Sequence, residues 1–329
     1  MNQEKMETVF RANPNIGRML LARLAGVPEN TARRFLEVNR YPQPEPKPET
    51  PAGPKVSKEE SAFAGLSKQE QQLILRGLKC SAAPAEKKVH HWSGESFKFA
   101  HVTDTHWGNM MSKVEHWQRA CDLIEKEKCE VILHTGDITD GMSGRPGHYY
   151  ELDAIGATAQ INLAVDRLRI APCPVYGING NHDLWSFASI GHDVAANLQD
   201  RMPGVFFNLG MHEADFHVGG ITIKLWHGID GASYATSYRT QKFIEGLSGG
   251  DKPHILLAGH DHKSIFHSCR NVMAFGGGTL CRQTQWMRNK KLAAHVGFWI
   301  IEVWQNENGL ERIKQEWIPF FTEGGFLDA

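Results

Sequence analysis

Short apolar runs, each closed by glycine or a polar residue, recur from about residue 97 onward. Phe97 to Val102, Val131 to Thr135, Val175 to Ile178, Ile221 to Trp226 and Ile255 to Ala258 are the clearest. At four to six residues they have the length of buried strands rather than of helices. Between the first three, Val114 to Glu127 and Ala154 to Leu168 repeat their apolar positions at the spacing of amphipathic helices. Later the pattern turns to hairpins. Asp215 to Val218 and Ile221 to Lys224 flank Gly219-Gly220, a second turn falls at Arg270-Asn271, and strands at Val296 to Val303 and Glu311 to Ile318 surround Asn306 to Gly309. Strands that alternate with helices and then pair as hairpins predict an α/β domain with mixed sheets.

Ahead of this region the periodicity is helical and short. Arg18 to Ala25 and Glu29 to Leu36 lie either side of Gly26-Val27-Pro28, and the spacing of Ala22, Gly26, Val27, Ala32 and Phe35 resembles a helix-turn-helix. From Met1 to Pro42 there are seven Lys or Arg against four Glu. If the unit reads a duplex, Asn30, Arg33 and Arg34 lie with Glu29 on or near the exposed face of the recognition helix. The other reading is a helical hairpin that packs on the catalytic domain or joins copies of the chain as a homo-oligomer. Six prolines between Pro42 and Pro54 favour extended polyproline structure, hence a tether. Lys58 to Lys79 then reads as a helix, with a Ser67 and Glu70 capping pattern and a stripe of Leu73, Ile74 and Leu78. The expected order is a helix-turn-helix-like unit at 1–41, a proline-rich linker at 42–57, a helical connecting segment at 58–92 and a catalytic domain at 93–329.

Composition narrows the setting. A chain of 329 residues can bury a large core with a smaller attachment, and its net charge of -1 gives no global pull toward nucleic acid or anionic membrane. The six cysteines show no Cys-x-x-Cys pairing and read as reduced, mostly buried thiols. The polar start and the lack of a long apolar run point to a cytoplasmic protein with no membrane segment.

The strand ends carry the chemistry. Asp104 and His106 follow the first run, Asp137 and Asp140 the second, Asn181, His182 and Asp183 the third, His227 the hairpin strand, and His260 with His262 the last. Two divalent cations a few ångströms apart repel each other unless a shared carboxylate bridges them, and Asp137 is the candidate. Imidazole and oxygen donors suit Mn, Fe, Zn or Ni, with Mn expected, rather than a thiolate-selected structural zinc. Such a pair of metals lowers the pKa of a bridging water, orients a phosphate and neutralises the departing oxygen. His182, beside a ligand, is placed to protonate that oxygen. His90, His91, His101, His134, His148, His192, His212, His217, His254, His267 and His295 lack matching spacing and read as surface or hydrogen-bonded side chains.

These strings, taken in order from Asp104 to His262, resemble the calcineurin-like metallophosphoesterases. The resemblance implies a four-layer αββα sandwich of two mixed β-sheets with the metals at the strand ends. It makes Asp104, His106 and His262 ligands of one metal, Asn181, His227 and His260 ligands of the second, and Asp137 the bridge. It also makes His182 the acid, Asp183 the carboxylate that orients it, and Asp140 a support behind a ligand.

The family includes protein phosphatases, nucleotide phosphatases, small-molecule phosphodiesterases and nucleases. Asp183 stands where its protein phosphatases usually carry Glu, and this form is similar to SbcD-type nucleases and cyclic-nucleotide phosphodiesterases. The helix-turn-helix-like unit and the aromatic and basic residues near the motifs lean toward a phosphodiester in DNA. Tyr149, Tyr150, Tyr238, Arg239, Arg282, Trp286 and Arg288 are the expected substrate contacts, with Tyr234 beside them. Only 67 residues follow His262, fewer than the capping and ATPase-binding segments of SbcD-type nucleases take, so a stand-alone phosphodiesterase or nuclease is expected. The alternatives are a cyclic or small-nucleotide phosphodiesterase or phosphatase, and a DNA-binding regulator whose hydrolase domain senses a ligand. The last is disfavoured because every ligand and His182 are present.

Overall fold

A strand that is apolar on both faces must be covered on both, and this requirement sets the layers of the catalytic unit. The computed structural model describes residues 2–12, 18–40, 89–90, 96–228, 233, 235–306 and 309–320. The expected tether, the helix expected over Lys58 to Lys79, Cys80, His91 and Tyr234 lie outside the described residues. The chain divides into two units, Met1–Ala83 and Pro84–Ala329.

In the larger unit one six-stranded sheet has the order β12-β11-β2-β3-β4-β5, where β2 is Ser96–Val102, β3 Val131–His134, β4 Val175–Ile178, β5 Phe206–Gly210, β11 Gly297–Asn306 and β12 Gly309–Pro319. The other runs β1-β6-β7-β8-β10-β9, with β1 Val89–His90, β6 Glu213–Val218, β7 Ile221–Trp226, β8 Ile255–Ala258, β9 Ser264–Cys269 and β10 Val272–Gly277. Both sheets are mixed. β2, β3, β4 and β5 are parallel neighbours in the first, as are β7, β8 and β10 in the second.

Between the sheets Phe97, Phe99, Leu133 and Ile178 meet Phe216, Ile223, Leu257 and Phe275, all fully buried. Each contributes about 1.5–3 kcal/mol by leaving water. The opposite face of the first sheet, through Ala100, Ile132 and Val175, takes Trp117 and Ile124 of α4 (Val114–Lys126), Ile161 and Val165 of α5 (Ala157–Leu168), and Leu198 of α7 (Val194–Arg201). Ile244 of α8 (Tyr238–Gly246) covers Leu256 and Ala274 on the other. The result is the αββα sandwich.

Two differences from the sequence reading have local causes, and one expected hairpin turn takes the backbone it requires. β1 pairs with β6, so the sheet begins before the boundary expected at 93. Val194 to Arg201 forms its own helix, capped by the Asp193 side chain on the Ala196 N–H. The turn at Arg270-Asn271 puts both residues at positive φ, as a two-residue hairpin of this kind demands.

Among the described residues of the smaller unit there are three helices where the sequence reading of 1–41 gives two: α1 (Asn2–Ala12), α2 (Arg18–Ala25) and α3 (Glu29–Arg40). Met6, Val9 and Phe10 of α1 supply a stripe that packs with Leu21, Ala22, Ala25, Ala32, Phe35 and Leu36, and the Phe10 and Phe35 rings meet edge-on at 5.8 Å. Asn30 and Arg34 are exposed on α3, on which Arg33 also lies. Among the described residues no helix is long and apolar enough to cross a membrane.

Candidate metal centre

The parallel strands β2, β3 and β4 end side by side, and each passes into one of the polar strings. β2 leads to Asp104 and His106, β3 to Asp137 and Asp140, and β4 to Asn181 and His182 in the first turn of α6 (Asn181–Ile190). On the facing sheet β7 ends at His227, and its parallel neighbour β8 ends just before His260 and His262. Two hydrogen bonds tie the two sets together. His227 Nδ1 donates to the Thr135 carbonyl at 2.6 Å, and the His260 N–H donates to Asp104 Oδ2 at 2.9 Å.

The expected ligands converge. His106 Nε2 and His262 Nε2 face each other at 3.0 Å, with Asp104 Oδ1 at 3.6 and 3.2 Å from them. Asn181 Oδ1 lies 2.7 Å from His260 Nδ1 and 3.0 Å from His227 Nε2. Asp137 Oδ2 stands between the two groups, 3.7 Å from His106 Nε2 and 3.2 Å from His227 Nε2. Donor atoms held about 2.1 Å from a common cation lie ~3–3.5 Å apart, which is this spacing. Asp104 Oδ1 is moreover buried without a hydrogen-bond partner, a costly state for a carboxylate oxygen unless a cation takes it. The residues therefore fit two divalent cations. Asp104, His106 and His262 would hold one, Asn181, His227 and His260 the other, with Asp137 shared.

Burial disfavours charge at every group here, and opposite charges outweigh it at most. Asp104 is held well below the usual carboxylate range because His262, His106 and His227 overcome its burial. Asp137 is lowered too, its burial outweighed by His227 and His182. His227 is raised to about 9 against its own burial by Asp137 and Asp104, and His106 is raised by Asp104 and Asp140. His260 goes the other way, pushed down to about 4 by burial and by His227. Protons on His106 and His227 thus stand where cations would neutralise the carboxylates.

Asp140 supports His106 from behind. Its Oδ1 accepts from His106 Nδ1 at 2.9 Å, while Oδ2 accepts from His148 Nε2 at 2.9 Å and Asn109 Nδ2 at 3.0 Å. A proton fixed on Nδ1 leaves Nε2 of His106 turned toward the cluster. His148 was set aside by spacing, yet it is buried in this network. The Ser143 N–H donates to its Nδ1 at 3.1 Å, which leaves the Nε2 proton for Asp140. No sequence signal marks it or Asn109, because the contact arises where the loop after β3 folds back.

His182 Nδ1 donates to the Asp140 carbonyl at 2.8 Å, and Nε2 lies 4.0 Å from Asp137 Oδ2. The Trp185 ring packs on it at 3.9 Å between centroids, and the His182 backbone N–H donates to Asp137 Oδ1 at 2.8 Å. The orienting role expected of Asp183 falls instead to the Asp140 carbonyl. Asp183 accepts four hydrogen bonds, from the N–H groups of Ile138, Thr139 and Gly180 and from the Thr139 hydroxyl, and none from the His182 ring. It locks the β3 and β4 loops together. Burial and the nearby Asp137 push its carboxyl up to about 6 against those donors.

A cavity of about 380 Å³ opens onto the cluster. Of the seven expected substrate contacts only Trp286 lines it. The short turn His148–Glu151 directs His148 inward and leaves Tyr149 and Tyr150 exposed, and Tyr238 is exposed as well. Arg239 is buried in an ion pair with Asp261, and Arg282 and Arg288 are half-buried and do not line the cavity. Its wall is made instead by residues the sequence reading passed over, chief among them Arg145, Trp185 and Lys263. Lys263 adjoins His262 and Trp185 follows His182 by three positions, so nearness to the motifs was their one available signal.

Part of the chain is similar to the DNA polymerase II small subunit of Halobacterium salinarum, at 24% identity over 139 residues. The match covers 41% of this chain and 27% of that one, so the chain spans about a quarter of the curated relative. Among solved structures it is similar to an archaeal phosphodiesterase at 13% identity, with a TM-score of 0.42 and 68% of this chain and 100% of that one covered. It is also similar to zinc-bound Vps29 from Entamoeba histolytica at 15% identity, with a TM-score of 0.37 and coverage of 68% and 99%. The family model described as the calcineurin-like phosphoesterase superfamily domain matches residues 97–296. That span holds all seven convergent ligands and His182, and the chain belongs to the calcineurin-like phosphoesterase superfamily.

Proposed function

We propose that the chain is a two-metal phosphodiesterase that cleaves nucleic acid, with DNA as substrate and manganese as the favoured metal. The observation that carries this reading is the cavity of about 380 Å³ beside the cluster, with His182 in its wall and Arg145 and Lys263 lining it. It is far larger than a phosphate needs and falls in the range of small-molecule sites, so it has room for the groups that a diester carries. When bound, the two cations would supply an activated water, orient the phosphate and neutralise the leaving oxygen.

The chain's own residues do the rest. A departing alkoxide needs a proton, and His182 can give one from Nε2 while the Asp140 carbonyl holds Nδ1–H, so the active form carries both protons. Asp183 keeps the loops that bear Asp137 and His182 in register through its four hydrogen bonds. Arg145 and Lys263 offer positive charge to the flanking phosphates. The similarity to a DNA polymerase small subunit supports DNA over RNA. Exposed Asn30 and Arg34 on α3 support duplex binding by the N-terminal unit. The cavity's modest volume favours, as a second reading, a small-nucleotide phosphodiesterase.

A Mn-supplemented screen of the full chain against duplex DNA, single-stranded DNA, RNA, cyclic nucleotides and phosphomonoesters decides between them. Cleavage of DNA is the expected result. Turnover confined to cyclic nucleotides selects the second reading, and turnover confined to monoesters overturns both.

A further inference from the structure

Part of the cavity lining is a cation–π pair that no metal chemistry requires. The Arg145 guanidinium carbon lies 4.7 Å from the centroid of the Trp286 ring, and both side chains line the cavity. Glu151 holds the two together: its Oε2 accepts from Arg145 Nη2 at 2.9 Å and its Oε1 accepts from the Trp286 backbone N–H at 3.0 Å. Each oxygen of this carboxylate is thereby engaged in clamping the stack. The short helix that bears Trp286, α9 (Gln285–Lys290), is fixed in turn by the Thr284 hydroxyl, which caps the Met287 N–H at 3.2 Å. Trp286 nevertheless remains partly exposed, so a large planar face stands pre-formed and partly in water.

A second aromatic ring lines the same cavity. Trp185 packs against His182, so a ring adjoins the place where the acid acts. Aromatic rings and guanidinium planes are the surfaces on which nucleobases stack, and the gain is sequence-tolerant because every base has a π-face. A bare phosphate or a sugar phosphate has no use for such a wall. We propose that the Arg145–Trp286 stack, clamped by Glu151, is a nucleobase subsite that holds one base of the substrate beside the scissile phosphate. The proposal rests on the phosphodiesterase reading for its substrate, but its ligand chemistry can be measured without turnover.

The test is equilibrium binding by calorimetry to the Mn-loaded full chain, with thymidine 5′-monophosphate and deoxyribose 5-phosphate as probes. The wild type is expected to bind the nucleotide on the order of 10-fold more tightly than the sugar phosphate, the scale of one stacked base. Trp286→Ala should abolish that preference, and Trp286→Phe, which keeps a ring, should restore most of it. Equal affinity of the wild type for the two probes overturns the proposal, as does a preference that survives Trp286→Ala. Failure of the wild type to hydrolyse a thymidine dinucleotide while the binding preference persists would overturn the phosphodiesterase reading and leave the subsite standing.

Discussion

Replacing Asp140 with Asn exchanges one acceptor oxygen for an amide that only donates. Three donors converge on this carboxylate, His106 Nδ1, His148 Nε2 and Asn109 Nδ2, so at least one loses its acceptor whichever way the amide turns. If the amide NH₂ faces His106, the imidazole can answer only by moving its proton to Nε2, the nitrogen turned toward His262. Loss of such an outer partner weakens metal binding or activity by about 10–100-fold. At about 1.4 kcal/mol per tenfold this is ~1.4–2.8 kcal/mol, in line with the ~1–3 kcal/mol of one buried polar group left unpaired. The loss should fall on the Asp104, His106 and His262 group and spare the other. Calorimetric titration of metal-stripped protein with Mn²⁺ should therefore show two classes of site in the variant, with one of them weakened. Affinities within twofold of wild type at both, in a variant that keeps its circular dichroism, refute the role assigned to Asp140. Acid stability gives a second check. Burial, which favours the neutral acid, is outweighed by hydrogen bonds from His106 and His148 and by the nearby His182, so Asp140 lies well below its ordinary value. Its contribution is present above the unfolded carboxylate value and lost as pH falls through the lower folded one. The variant should lose that part of the acid-side decline.

Metal binding should also depend on pH through His227, whose burial is outweighed by Asp137 so that its pKa rises from 6.5 to about 9. A raised histidine stabilises the metal-free fold below about 6.5, and this stability fades as pH rises toward about 9. Cation affinity should climb over the same window as the proton becomes easier to expel, and a flat Mn²⁺ affinity across it would contradict the assignment. Asp137→Asn and His182→Ala should both abolish hydrolysis, the first with loss of metal by elemental assay and the second with metal retained. Full activity in either removes the role given to that residue. Deleting residues 1–54 should weaken binding and cleavage of DNA while a small chromogenic phosphodiester is hydrolysed as before. Unchanged DNA cleavage would dismiss the N-terminal unit as the DNA-binding part.

The convergence of the candidate ligands is legible because a strand end gives them no packing reason to exist. β4, β7 and β8 have the bounds that their apolar runs predict, and the polar residues after them have no hydrophobic partners to satisfy. Asp183 departs from the expected orienting role for a physical reason that the sequence does carry. Adjacent residues on a helix do not face each other, so a carboxylate next to His182 in α6 points elsewhere, here to the N–H groups of the β3 and β4 loops. The substrate wall was the least legible part. Which side of the His148–Glu151 turn faces the cavity depends on how the loop after β3 folds back, and two tyrosines in sequence reveal nothing of that. Helix α1 was missed because Met6, Val9 and Phe10 form a stripe too short to stand without α2 and α3.

Backbone conformation at the centre is the feature that sequence identity hides and function needs. Asp104, His106, Asp137, His260 and His262 all take positive φ, between 44° and 76°. Conformations of this kind cost of order 1–3 kcal/mol each and persist only where the surroundings over-determine them. Asp and His tolerate them better than branched side chains do, which sets the lower end of that range here. The surroundings can be named. The Asp104 N–H is held by the Gly136 carbonyl and the His106 N–H by the Asp137 carbonyl, both at 3.0 Å, while the His295 N–H holds the His262 carbonyl at 2.8 Å. Gly180 passes so close to Asp137 that a Cβ there would collide with its carboxylate. The strain is thus carried by two sheets whose largely apolar interior fixes where the loops begin. Ligands that are already bent toward one another incur no further ordering when cations bind, and that is the physical reason for placing them on tight strand-end turns rather than on longer, freer loops.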